Sequence, residues 1–169
     1  MRPSNSLTGS KSGLSISFRA ALPADAATLS RIAIAAKRHW GYPDEWIELW
    51  RRELTVTPAN IERDYVSIAE VSGQAAGFVS VSVAARDAEI EHLWVLPEFI
   101  GLGVGRTLLQ QALDWCASRG LASLKVAADP NAIGFYLAAG GKVIGRQTSV
   151  PAPRELPVFL FSIPGRGSV

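Results

Sequence analysis

A strand, a glycine-rich turn and a helix follow one another without interruption between Ala88 and Arg119, and a second strand follows at once. AEIEHLWVL (88–96) has the apolar and β-branched content of a strand and is ended by Pro97. EFIGLGVGRTLL (98–109) carries Gly101, Gly103 and Gly105 and leads into a helix from about Gly103 to Arg119, which Gly120 stops. LASLKVAA (121–128) is the next strand. A strand–helix–strand unit joins parallel neighbours by a right-handed crossover, so the sheet of this chain contains a parallel pair.

The remaining segments surround that unit. LSISFRAAL (14–22) alternates apolar and polar residues as a half-buried strand does. Pro23 and Asp25 open a helix with Leu29, Ile32 and Ala36 at helical spacing, and Lys37 and Arg38 suit its C-terminal end. Gly41, Tyr42 and Pro43 break it, and a second helix at 44–54 carries Trp46, Leu49 and Trp50 on one face. Thr57 and Pro58 resemble the cap and first residue of one short turn. DYVSIAEV (64–71), GFVSVSVAA (77–85) and the strand at 88–96 are separated only by turn residues, which predicts an antiparallel meander. A helix at 131–140 and strands at 141–149 and 157–163 complete the order. The expected fold is α/β (α+β): a mixed, mostly antiparallel central sheet of about seven strands flanked by about four helices. Residues 14–164 form the single domain, with a Ser- and Gly-rich flexible tail at 1–13 and a frayed end from Pro164.

Composition narrows the function classes. With 169 residues, 48% hydrophobic and 19% charged, the chain suits one domain with a sizeable core. Its 17 Lys+Arg against 15 Asp+Glu leave a formal charge of +2 with no dense basic run, so no nucleic-acid partner is expected. The N-terminal residues are polar, unlike a signal peptide, and no window reaches the ~20 apolar residues of a membrane helix. A single cysteine, Cys116, excludes an internal disulfide framework and fits a reducing compartment; its helical neighbours Leu109, Ala112 and Leu113 read it as a buried small hydrophobe. One cysteine and two histidines, widely separated, predict no metal site. A soluble cytoplasmic protein is the expectation.

The glycine loop carries the chemistry. Backbone N–H groups at a helix N-terminus, without Cβ atoms in the way, are suited to a diphosphate, and Arg106 adds a cation. Two common phosphate loops fail here: no lysine completes a P-loop, and Arg106 stands where a dinucleotide fingerprint needs glycine. A turn without a ligand is the plain alternative. Downstream, ADPNAIGFYLAAGGKVIG (128–145) places Asn131 before a helix bearing Phe135-Tyr136 and ending at Gly140-Gly141. With these two motifs in order, the chain from about Ser15 to Ile163 resembles the GNAT superfamily of N-acetyltransferases, which move an acetyl group from acetyl-coenzyme A to an amine. The family's pyrophosphate loop, [Q/R]-x-x-G-x-[G/A], falls on Ile100-Gly101-Leu102-Gly103-Val104-Gly105, with Ile100 in place of the usual Gln or Arg.

The resemblance implies the following roles. Acetyl-coenzyme A is the cosubstrate and enters a gap beside the strand at 88–96. The backbone amide of Leu93 faces the acetyl oxygen, Trp94 and Val95 flank the pantetheine arm, Asn131 meets that arm, and Ile100 to Arg106 hold the diphosphate. Tyr136 stands beside the coenzyme sulfur, to protonate the departing thiolate as general acid or to hold its charge through a hydrogen bond. Glu89 or Glu91 serves as base through an ordered water; solvated carboxylates are the alternative. Strand parity groups Glu89, Glu91, Leu93 and Val95 on one face and Ile90, His92 and Trp94 on the other, which argues against His92 as base. The acceptor site lies between KRHWGYPDEW (37–46) and QTSVPAPRELP (147–157), where His39, Trp40 and Tyr42 can hold an amine and Arg154 a carboxylate; core packing and solvent exposure are the respective alternatives. The acceptor is a primary amine of a small molecule or peptide. A protein N-terminus or lysine, or a coenzyme A-binding module without turnover, are the other readings, and a homodimer is left open.

Overall fold

The alternation at 14–22 becomes β1 (Ile16–Ala20), which pairs antiparallel with β2 (Tyr65–Val71). β2 continues through antiparallel β3 (Gln74–Ala84) to β4 (Asp87–Val95), as the short turns predict. β4 pairs parallel with β5 (Ser123–Ala127), β5 antiparallel with β7 (Glu155–Ser162), and β6 (Lys142–Thr148) closes the far edge. The seven strands run in the order β1-β2-β3-β4-β5-β7-β6, a mostly antiparallel open sheet with one parallel pair. This computed structural model describes residues 13–151 and 153–165. The tail expected at 1–13 therefore lies, except for Gly13, outside the described residues, as does most of the end beyond Pro164.

Among the described residues, five α-helices flank the sheet: α1 (Ala26–His39), α2 (Asp44–Leu54), α3 (Pro58–Arg63), α4 (Val104–Ser118) and α5 (Ile133–Ala138). The additional one is α3, expected as a single turn. Thr57 accepts from the Asn60 N–H at 3.1 Å while the Asn60 side chain accepts from the Thr57 N–H at 2.9 Å. This reciprocal cap, with Pro58 next and Ile61 buried, lets so short a helix persist. α1, α2 and α3 cover one face of the sheet over Val66, Ile68 and Phe78. α4 and α5 cover the other over Val79, Val81, Ile90 and Val126.

β4 is irregular where function is expected. Opposite it, Ser80 pairs with His92 and Val81 with Ile90, so Glu91 is an extra residue. A bulge of this kind bends and twists its strand. β4 accordingly holds β5 only at Ala88–Leu124 and Glu89–Lys125, and the two strands then diverge. The bulge also corrects the expected parity. Ala88 and Ile90 pack toward α4 together with Leu93 and Val95, three residues on instead of two. Glu91 accepts a hydrogen bond from Ser82, which is in step with Phe78 on the α1 face, and the His92 ring lies 5.6 Å from Phe78. Glu89 and Glu91 thus share a face with His92 and Trp94, not with Leu93 and Val95.

The pairing of β3 with β4 depends on Gly77, opposite Val95. A Cβ there would stand 2.6 Å from the Trp94 carbonyl oxygen, a backbone atom with no room to withdraw. Gly77→Ala is expected to cost about 2 kcal/mol of stability by forcing the strands apart. A lower urea midpoint with an unchanged m-value checks this.

Candidate active site

The divergence of β4 from β5 opens a cavity of about 460 Å³. Leu93, Trp94 and Val95 line one wall and Val126 and Ala127 the other, with Tyr136 of α5 between them. The Leu96 N–H bonds to the Ala76 carbonyl at 2.7 Å, so that residue's backbone faces β3. By the two-residue alternation of a strand, Leu93 and Val95 turn their backbone groups to the opposite side, toward the gap. β4 here is an interior strand with an open edge.

The glycine loop closes one mouth. Gly101 and Gly103 have φ of +88° and +80°, a region that disfavours any residue with a Cβ. These turns bring the chain into α4 with Gly103 as its N-cap. The first helical bond runs from the Thr107 N–H to the Gly103 carbonyl at 3.1 Å, leaving the amides of Val104, Gly105 and Arg106 without helical partners. A 15-residue helix pointing its positive end at a cavity has a geometry that favours an anion. Ile100, Gly101, Gly103, Val104, Gly105 and Arg106 all line the cavity; Leu102 does not. Ile100 is exposed at 52%, so the residue that replaces the usual polar side chain presents an apolar surface at the mouth.

Tyr136 is 4% exposed, set among Phe135, Phe159 and Phe161 with ring centroids 5.1, 5.6 and 6.2 Å away. Burial, and secondarily the charge of Asp129, raise the pKa of its hydroxyl, which therefore stays protonated. Of the two glutamates, Glu91 lines the cavity and Glu89 does not. Burial and then the neighbouring Glu91 charge raise the Glu89 carboxyl. His92 is packed against Phe78, although the parity argument against it as base fails. Burial pushes its pKa down to about 4, and its Nδ1 accepts from Trp94 Nε1 at 3.1 Å, so the neutral ring carries its proton on Nε2.

His39 and Trp40 line the cavity at the C-terminal end of α1. Tyr42 and Arg154, expected among the acceptor contacts, are instead turned inward. The Arg154 side chain is 12% exposed and donates to Tyr42 Oη at 3.0 Å and Asp129 Oδ2 at 3.4 Å. It is neither free for an acceptor carboxylate nor a solvated surface arginine. Tyr42 stacks on Trp46 at 5.9 Å and meets Trp50 edge-on at 4.9 Å, which is the core-packing alternative. Two residues at this site carried no functional reading in the sequence. Lys37 looked like a helix-end cation but is 8% exposed and bonds Asp129 at 2.6 Å. Asp129 lines the cavity; its one sequence signal was its place before Pro130-Asn131, where it caps the following turn.

A model of the acetyltransferase (GNAT) family matches residues 29–140. The chain belongs to that family. An uncharacterized N-acetyltransferase of Archaeoglobus fulgidus is 38% identical over 65 residues, 34% of this chain and 44% of that protein. The match thus spans less than half the length of this curated relative. Among solved structures, PaiA N-acetyltransferase from Thermoplasma acidophilum, in complex with coenzyme A, has a TM-score of 0.73 at 22% identity and covers 87% of this chain and 98% of its own. A GCN5-related N-acetyltransferase from Rhodopseudomonas palustris has a TM-score of 0.72 at 26% identity, covering 86% and 94%. In this GNAT chain Cys116 is buried in α4, where burial pushes its thiol up to about 11, and it stands outside the cavity lining. Among the described residues, no group of three His, Cys, Asp or Glu is arranged to hold a metal, and no helix is long and apolar enough to cross a membrane.

Proposed function

We propose that this GNAT protein, with residues 14–164 as one catalytic domain, transfers an acetyl group from acetyl-coenzyme A to a primary amine of a small molecule or peptide by direct attack. The observation that carries the reading is the gap between β4 and β5, open along the β4 backbone and closed at one end by unpaired amides of the glycine loop. Acetyl-coenzyme A brings a diphosphate, an amide-bearing arm and an activated thioester, and each has a complement here. The amides of Val104 to Arg106 and the Arg106 side chain receive the diphosphate. Val95 and its neighbour Trp94 align the arm along β4, and Asn131 adds a polar contact. The Leu93 amide, turned to the gap, stabilises the oxyanion, a service worth roughly 10²–10³ in rate where single donors have been removed elsewhere. Tyr136 meets the departing thiolate.

The amine, with a pKa near ~10.4, must lose a proton before it attacks. Glu91 lines the cavity and takes it through an ordered water, with Glu89 beside it. Glu91→Gln is therefore expected to lower kcat/KM by about 10²-fold. Glu89→Gln should cost less, and an unchanged kcat/KM in both variants would remove carboxylate base catalysis. His39, Trp40 and Trp94 line the same cavity as Glu91 and offer it aromatic surface, suited to a cationic amine with an apolar body. With Lys37 and Arg154 engaged by Asp129, neither is free to pair with a carboxylate of the acceptor. Thiol release from acetyl-coenzyme A across a panel of amines, amino acids and peptides tests the whole reading. Amine-dependent release is expected, fastest with amines lacking a carboxylate; binding of coenzyme A without release to any amine would make the protein a non-catalytic binding module.

A further inference from the structure

Asp129 stands two residues beyond the end of β5, and its side chain is 8% exposed. Five donors converge on it. Lys37 Nζ reaches Oδ2 at 2.6 Å, Tyr42 Oη reaches both oxygens at 3.1 Å, and Arg154 Nη2 reaches Oδ2 at 3.4 Å. The backbone N–H and the side-chain Nδ2 of Asn131 both donate to Oδ1 at 2.9 Å. Lys37 Nζ and the Arg154 guanidinium also lie 4.2 and 4.7 Å from the Trp50 ring centroid. A carboxylate offers about four acceptor sites, so this one is saturated and has no lone pair left for a substrate proton. Asp129 is not the base, although it lines the cavity.

Two of its bonds lead to the parts of the site that hold ligands. A carboxylate only accepts, so the Asn131 group facing Asp129 is its NH₂. The second amide hydrogen goes to Tyr42 Oη at 3.1 Å. With both hydrogens engaged, the Asn131 oxygen is left as the acceptor, the complement of an amide N–H on a bound carrier arm. On the other side, Arg154 donates to Ser149 Oγ at 3.1 Å, and the loop between β6 and β7 closes on itself through Ser149 N–H to the Arg154 carbonyl at 2.8 Å. Trp50 Nε1 holds the same loop at the Val150 carbonyl, 2.8 Å away.

We infer that Asp129 is the positioning residue of the site: it holds the Asn131 amide with its oxygen presented to the carrier arm and anchors the β6–β7 loop through Arg154. The first half rests on the acetyl-coenzyme A reading above; the second does not. Asp129→Asn keeps the shape but turns one acceptor into a donor among donors. It should weaken coenzyme A binding about tenfold in calorimetry, while kcat changes by less than about threefold. Asn131→Ala should cost a similar factor, and adding Asp129→Asn to it should cost nothing more, because both act through one contact. Tyr42→Phe, which leaves the ion pairs intact, should show the same split at about threefold. In the protein without ligand, amide hydrogen exchange at Ser149 and Arg154 should quicken about tenfold in Asp129→Asn. Additive losses in the double variant, or undiminished affinity in both Asp129→Asn and Tyr42→Phe, overturn the Asn131 half. Unaltered exchange overturns the loop half. Wild-type protein that gives no heat with coenzyme A defeats the acetyl-transfer reading and the Asn131 half together, and the exchange experiment still decides the other.

Discussion

Tyr136→Phe is expected to lower kcat by about 10²-fold while the Kd for coenzyme A stays within about twofold. The ring keeps its place among Phe135, Phe159 and Phe161, so the fold and the cavity wall survive; only the hydroxyl is lost. Burial raises the pKa of that hydroxyl above its ordinary value, so it is neutral throughout the working pH range and always has a proton to offer. It is also a much weaker acid than a thiol, whose pKa is near ~8.5. Complete transfer of its proton to the departing thiolate therefore runs uphill. Its service is a hydrogen bond that strengthens as negative charge gathers on sulfur, and this is why the loss should fall on turnover rather than on binding. Initial rates of thiol release, set beside calorimetric titrations of both proteins, measure the two quantities separately. Equal turnover would dismiss Tyr136 from the chemistry.

Lys37→Met should destabilise the protein by about 3 kcal/mol, because it removes one member of a buried ion pair and leaves the other's charge underpaired. For a chain of this size that corresponds to a fall in Tm of roughly 10 °C. The Lys37 and Asp129 side chains are 10% and 8% exposed, so solvent does little to replace the lost contact. Arg154, at 3.4 Å, is the remaining cation on Asp129 and keeps the loss at the lower end for buried pairs. Acid dependence gives an independent check. Burial alone would raise the Asp129 carboxyl, but the Lys37 ammonium and the Asn131 hydrogen bonds together outweigh it and hold the carboxyl below its ordinary range. A carboxyl lowered on folding contributes stability that is present above its unfolded pKa and is lost as pH falls through the lower folded value. In Lys37→Met that contribution shrinks, so thermal scans should show the gap between the two proteins narrowing as pH drops below about 4. An unchanged Tm near neutrality would mean that Arg154 alone satisfies the carboxylate.

The segments that could be read from the sequence are those whose signal is local. Alternation in 14–22 and 77–85, helical spacing at Leu29, Ile32 and Ala36, and the turn residues between β2, β3 and β4 each reflect which side of a single element meets the core. α3 exceeds the single turn that Thr57-Pro58 predict, because its stability comes from a reciprocal cap and one buried isoleucine rather than from length. The glycine loop was legible because only glycine relieves the steric conflict of φ near +80° at Gly101 and Gly103.

The surroundings of the candidate base and acceptor residues were not legible in the same way. Whether Glu91 is a paired or an extra residue is decided by β3, through the pairing of Ser80 with His92, and nothing within AEIEHLWVL announces it. The inward turn of Arg154 and Tyr42 depends on Asp129, which lies 25 residues from one and 87 from the other. Lys37, 92 residues from its partner, looks in the sequence like any cation at a helix end. From the sequence alone came the order of elements, the parallel pair and the glycine turn that opens α4, since each is dictated by sterics and periodicity over a few neighbouring residues. Only the tertiary structure decided which glutamate reaches the cavity and which cations are already engaged, because a strand's register and a buried charge's partners are set by chain segments far away in sequence that folding brings together.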